Sequence, residues 1–149
     1  MDSLYRPDGV EERWQRTWEE EGLYRAGAGA RRDETFVIAL PPPNVTGALH
    51  MGHALNGSLQ DVLIRWHRMQ GFDTLWQPGY DHAGIATQNV VERLIAKDGH
   101  TRFDLGREAF VERVWQYVRD TGVAIIEQLR AIGCSADWSR TYFTLDEDL

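Results

Sequence analysis

Lysine and cysteine are each used once, at Lys97 and Cys134, in a chain of 149 residues. A single cysteine excludes an internal disulfide and a zinc site built from several thiolates, and it suits a reducing compartment. A single lysine excludes any signature that needs two of them. Long apolar runs are missing, and the N-terminus carries neither a signal peptide nor a basic presequence; no membrane contact is expected, and the expected setting is cytoplasmic. Positive charge is in deficit, with 16 Lys+Arg against 23 Asp+Glu and a net charge of −7. Such a field repels nucleic-acid phosphates, so a nucleic-acid partner would be gripped mainly by other parts. Internal repeats and low-complexity tracts are absent as well. At 149 residues there is material for one domain, or for half of a larger one.

What is present is organised around Thr35 to Met69. Thr35 to Leu40 is β-branched and apolar, which suits a buried strand of a parallel sheet. Pro41, Pro42 and Pro43 stop it, because proline cannot donate to a ladder, and Asn44, Val45, Thr46 and Gly47 supply turn chemistry. Leu55, Leu59, Val62, Leu63, Trp66 and Met69 then fall at helical spacing, with Asp61, Arg65 and Arg68 on other faces and Gly71 at the expected end. Strand, loop and helix in this order put unpaired helix N–H groups beyond the carboxyl edge of a strand, where they favour a phosphate. His50 and His53, three apart at the start of the helix, can donate ring N–H bonds to phosphate oxygens. Gly52 between them lets a base or ribose lie against the backbone. Two histidines without further ligands nearby do not make a metal site, so no protein-bound metal is expected; the plainer alternative is a capping or packing pair.

Asp73 to Gln77 reads as a second strand closed by Pro78-Gly79, completing a βαβ unit. Tyr80, Asp81 and His82 then occupy the next carboxyl-end loop, beside the first, where ligands of open α/β sheets sit. Asp81 can pair there with an amino group, or it can cap the helix expected over Gly84 to Lys97, with Ile85, Val90, Val91, Leu94 and Ile95 buried. A long helix is expected from about Leu105 to Ile132, striped by Phe110, Val114, Tyr117, Val118, Ile125, Leu129 and Ile132 and ended by Gly133. At the front, Asp8 to Glu20 reads as a short amphipathic helix with Trp14 and Trp18 as core anchors, joined to the first strand by a flexible connector over 26–32.

The run His50-Met51-Gly52-His53 resembles the HIGH signature of class I aminoacyl-tRNA synthetases, and PPPNVTGALHMGHALN is similar to the valyl-tRNA synthetases in particular. WQPGYDHAGIATQ, DLGREAF and SADWSRTYFTLDEDL extend the likeness over essentially the whole chain. The resemblance implies an α/β chain that is the N-terminal half of a Rossmann-like nucleotide-binding fold, with parallel strands and crossover helices. Residues 1–34 would be an N-terminal helix and linker, and 35–149 the first half of the catalytic domain. It implies activation of valine by ATP, with Mg2+ accompanying the ATP as substrate, and transfer to tRNA(Val). His50 and His53 would be catalytic and stabilise phosphate charge. Asn44, Thr46, Gly47 and Gly52 would join them in binding ATP, while Pro41, Pro42, Asn44 and Asp81 would hold the amino acid, Asp81 through its α-amino group.

Two features qualify the likeness. Position 80 is Tyr, where valyl enzymes usually show Thr and isoleucyl relatives Trp. The second signature of the class, KMSKS, cannot be formed with one lysine, and the editing and anticodon-binding parts exceed this length. The expectation is therefore the N-terminal part of a valyl-tRNA synthetase, weak or inactive alone and prone to self-association through an incomplete sheet. The alternatives are a non-catalytic or partner-dependent nucleotide-binding half-domain, an isoleucyl-type fragment, and a small nucleotidyltransferase with another acceptor.

Overall fold

The computed structural model describes residues 9–27 and 31–149, so Asp8 and the middle of the expected connector lie outside it. The elements in order are α1 (Val10–Glu20), β1 (Thr35–Ala39), α2 (Met51–Met69), β2 (Asp73–Gln77), β3 (Gly79–Tyr80), α3 (Gly84–Lys97), α4 (Arg102–Ala131) and β4 (Tyr142–Phe143). They gather into two compact units. One holds the described residues up to Leu40 with Met51–Pro78 and Gln128–Thr141; the other holds Pro41–His50, Gly79–Glu127 and Tyr142–Leu149.

In the first unit β1 and β2 run parallel, from Thr35 opposite Asp73 to Ala39 opposite Gln77, and α2 is the crossover between them. The Leu40 N–H still reaches the Gln77 carbonyl at 2.9 Å before the prolines take over. Among the described residues the sheet has these two strands alone, and β1 is not the buried strand its composition suggested: Val37 is 58% exposed. At the front, α1 ends where the Leu23 N–H closes onto the Trp18 carbonyl, with Gly22 in the left-handed region. Trp18 is half-buried beside Tyr24, but Trp14 stacks on it from outside at 47% exposure and anchors no core.

Helix α2 turns its polar side inward. Ile64 and Gly57 are its buried residues, and the Cys134 sulfur sits where a β-carbon on Gly57 would meet it at 3.5 Å. Around them Asp61 accepts hydrogen bonds from the Ser135 N–H at 3.0 Å and from the Ser135 hydroxyl, and from Arg65 at 2.7 Å. Arg65 also donates to the Gly133 carbonyl, and Arg68 donates to Ser135. Ser135 is fully buried, so without Asp61 its donors would be stranded away from water. Trp76 completes this core, its indole N–H donating to the Gln60 side chain at 3.0 Å.

In the second unit α3 has the bounds expected of it, and Val91 and Ile95 meet Phe110 of α4 in a core edged by Leu105, Val114 and Tyr117. Ile85 and Leu94 are exposed rather than buried, and Thr87 takes the inner place, its hydroxyl donating to the His82 carbonyl. Helix α4 begins three residues before the expected start, because Thr101 and Asp104 cap each other. Gly106, at φ 75 and ψ 165, breaks the helical path one turn in. Beyond the break Val118, Ile125 and Leu129 are buried as the stripe required, while Ile132 lies past the last turn and is half exposed.

Candidate functional site

The triproline loop belongs to the second unit, and backbone bonds lace it to the segment after β3. The Asp81 N–H donates to the Pro43 carbonyl at 2.8 Å, and the Val45 N–H donates to the Asp81 carbonyl at 2.9 Å, which pairs Asn44 with Asp81 in a parallel bridge. The juxtaposition of two carboxyl-end loops inferred from the sequence is therefore present, at the level of the main chain. Pro43 and Val45 are buried and pin the loop, whereas Pro41, Asn44 and Thr46 are exposed and Pro42 and Gly47 half-buried. His50, exposed, closes this stretch. Met51 starts α2, so Gly52 and His53 lie in that helix's first turn, in the first unit, where backbone N–H groups point out of the helix end.

Asp81 is held from three directions. Its Oδ1 accepts the Ala83 N–H at 2.9 Å and the Thr144 hydroxyl at 3.1 Å, and the His82 Nδ1 lies 3.2 Å away. Among the described residues Oδ2 takes no hydrogen bond, and the side chain is 34% exposed. Asp81 does not cap α3, since Ala83, in the left-handed region at φ 54, is the cap residue and no side chain caps that helix. Such an arrangement leaves one carboxylate oxygen for a cationic ligand while the other fixes its direction.

Tyr80, the departure from the expected pattern, is occupied with packing. Its ring stacks on Phe143 at 5.0 Å between centroids, and it lies so close to α4 that a β-carbon on Gly122 would come within 2.6 Å of it. Burial, and then the charge of Asp146, push its hydroxyl pKa up. β3 pairs with β4 in parallel, Gly79 opposite Tyr142 and Tyr80 opposite Phe143, and the Thr144 N–H donates to the Tyr80 carbonyl at 3.3 Å. Thr144, Phe143 and Gly122 are site residues that sequence reasoning passed over. They lie 42 to 63 positions from the residues they serve, and no local periodicity marks them.

Elsewhere, the DWSR run folds as a 3-10 turn over Trp138–Arg140 in the first unit. Asp137, 2% exposed, accepts from the Ala26 N–H and from both donors of Ser139. That is a structural carboxylate with its lone pairs in use. Cys134 is a buried free thiol, its pKa pushed up to about 12 by burial and then by the charge of Asp61. Among the described residues no group of three His, Cys, Asp or Glu is gathered for a metal.

The family model described as tRNA synthetases class I (I, L, M and V) matches residues 13–149. Among curated proteins, the valine–tRNA ligase of Cereibacter sphaeroides is 58% identical over 98% of this chain, and that of Geobacter sulfurreducens 57% identical over 98%. The ligase of Carboxydothermus hydrogenoformans is 55% identical over 99%. The chain spans about a sixth of the length of these relatives, 15%, 16% and 16% respectively. Among solved structures, a LeuRS from Agrobacterium radiobacter, in a ternary complex with tRNA and LeuAMS, superposes with a TM-score of 0.75 at 20% identity. That match covers 96% of this chain and 16% of the other, and it shows the fold.

Proposed function

We propose, for a chain that belongs to the class I tRNA synthetases, that it forms the phosphate- and amine-binding part of a valine–tRNA ligase. The observation that carries this reading is the main-chain bridge of Asn44 to Asp81, which fastens the loop leading into the HMGH run to the carboxylate suited to an ammonium. The choice of valine follows the relatives. In the reaction the valine carboxylate attacks the α-phosphate of ATP and the bond to pyrophosphate breaks; a 3′-terminal ribose hydroxyl of tRNA(Val) then takes the valyl group from the adenylate, and AMP leaves. No enzyme nucleophile is needed, so the work is positioning and electrostatic stabilisation. Asp81 Oδ2 takes the α-ammonium of valine, with Pro41, Pro42 and Asn44 beside it. Thr46, Gly47, Gly52 and the N–H groups at the start of α2 receive the nucleotide, whose Mg2+ arrives with it as substrate. His50 and His53 donate to phosphate oxygens as charge builds on them.

Lysines for the departing pyrophosphate come from outside this segment, which has one. A second reading, that the segment alone binds ATP without turning it over, is favoured by that single lysine and by the two-stranded sheet. In either case the first residues 1–34 serve as helix and linker and the rest as the first half of the catalytic domain. No described helix is long and apolar enough to cross a membrane, and a cytoplasmic setting fits translation chemistry. Valine-dependent exchange of labelled pyrophosphate into ATP tests the proposal. The full-length chain exchanges, and His53→Ala lowers the rate by about a hundredfold, as loss of one donor to transition-state charge does elsewhere. The isolated segment binds ATP and does not exchange. Full activity in both His53→Ala and Asp81→Asn would overturn the proposal.

A further inference from the structure

We propose that Thr144 is the positioning residue of the amine site: its hydroxyl aims the Asp81 carboxylate and fixes the tautomer of His82. The proposal rests on the assignment of Asp81 to the valine ammonium. All the groups involved lie in the second unit. The Thr144 oxygen is 3.0 Å from the His82 backbone nitrogen, 2.7 Å from His82 Nδ1 and 3.1 Å from Asp81 Oδ1. A hydroxyl has one hydrogen and two lone pairs, and this limits the ways those contacts can be made. The backbone N–H of His82 must donate, so it takes one lone pair. If the hydroxyl hydrogen went to Nδ1, the hydroxyl and the carboxylate would face each other as two acceptors 3.1 Å apart. The consistent solution sends the hydrogen to Asp81 Oδ1 and has the His82 Nδ1–H donate to the second lone pair. His82 then carries its proton on Nδ1.

The threonine is itself placed from two sides. Its N–H is bonded to the Tyr80 carbonyl, and the turn that begins at Phe143 is closed by the Phe143 N–H donating to the Asp146 carboxylate at 2.8 Å and by the Asp146 N–H returning to the Phe143 carbonyl at 2.9 Å. The direction of a carboxylate in the amine pocket is thus set by a side chain 63 positions away, and Oδ2 is left to the ligand because Oδ1 is already engaged. A hydroxyl of this kind acts on the ground-state grip of the amine, so its loss falls on the amino acid and spares the nucleotide.

The experiment is pyrophosphate exchange in the full-length chain, with valine and ATP each varied, for wild type, Thr144→Val, Thr144→Ser and Asp81→Asn, beside a thermal melt of each. Thr144→Val keeps the shape and removes the hydroxyl. The expected result is a KM for valine raised about five- to tenfold with the KM for ATP within about twofold, the net size of about one hydrogen bond lost from the positioning of the carboxylate. Thr144→Ser, which restores the hydroxyl, returns the KM for valine toward wild type. An unchanged KM for valine in Thr144→Val beside a raised one in Asp81→Asn would overturn the role of Thr144 alone. Unchanged values in both would bring down the assignment of Asp81 and this proposal with it. Equal losses for valine and ATP, tracking a lowered melting temperature and not rescued by serine, would mark Thr144 as structural and also overturn it.

Discussion

Helices α2 and α4 carry apolar stripes of similar clarity, and the two meet opposite fates. Along α4, Val118, Ile125 and Leu129 are 5% exposed or less; along α2, Leu55, Leu59, Val62, Trp66 and Met69 are between 51% and 80% exposed. What α2 buries instead is Ile64 and a glycine, beside a half-buried charged network of Asp61 with Arg65 and Arg68 that closes on the buried Ser135. Burial of apolar area dominates folding free energy, so a stripe left outside beside half-buried ion pairs contributes little to holding α2 in place. The difference teaches that spacing establishes a helix and its two faces, whereas the choice of inner face belongs to whatever chain surrounds it.

The comparison can be broken most directly in its cores. Leu129→Ala is expected to cost about 2–5 kcal/mol, as truncation of a fully buried leucine does, whereas Leu59→Ala on the outer face of α2 stays within about 0.5 kcal/mol. Urea midpoints of the 149-residue chain measure both, and equal losses would mean that α2 is covered after all. Next in size is Gly122→Ala, whose β-carbon would enter the Tyr80 ring and cost about 1–3 kcal/mol; Tyr80→Val in the same chain should recover much of it, a coupling read from a double-mutant cycle. A smaller effect concerns association. The outer face of α2 should make the isolated segment self-associate, and Leu59→Glu with Val62→Glu should shift it toward monomer in light scattering, with little change in its melt. A clean monomer before substitution would contradict that expectation.

The last effect, absent at neutral pH, is on pH dependence. Cys134 holds its proton to about 12 in the folded chain, above its ordinary value of 9.0, because it is buried and faces the Asp61 charge. Between those values the unfolded chain releases a proton that the folded chain keeps, so the stabilising contribution is whole below 9.0 and is lost as pH rises toward 12. Cys134→Ala should remove that part of the alkaline decline in urea midpoint. At neutral pH the wild-type thiol should react with a disulfide reagent only as fast as the chain opens.

Much of this was legible in the sequence because it is local. The bounds of β2 and α3, the stop at the prolines and the end of α4 at Gly133 follow from composition and turn residues over a few positions. The nearness of Asn44 and Asp81 followed from the rule for carboxyl-end loops, which needs only the order of the elements. What stayed illegible depends on distant partners. The inward turn of Asp61 needs Ser135, 74 positions on, and the aim of Asp81 needs Thr144. The wide exposure of β1 could not be read from its residues, since β-branched composition is the same whether one neighbour strand is present or two.

The bridge that joins the triproline loop to Asp81 is written in main-chain amides, at Pro43, Val45 and Asp81. Peptide groups are common to every residue, and the only one forbidden at the two donor positions is proline. Asn44 and Thr46, both pointing into solvent from that loop, can therefore be exchanged for other side chains without unfastening it. A loop fixed in this way keeps its course while its exposed side chains are free to vary.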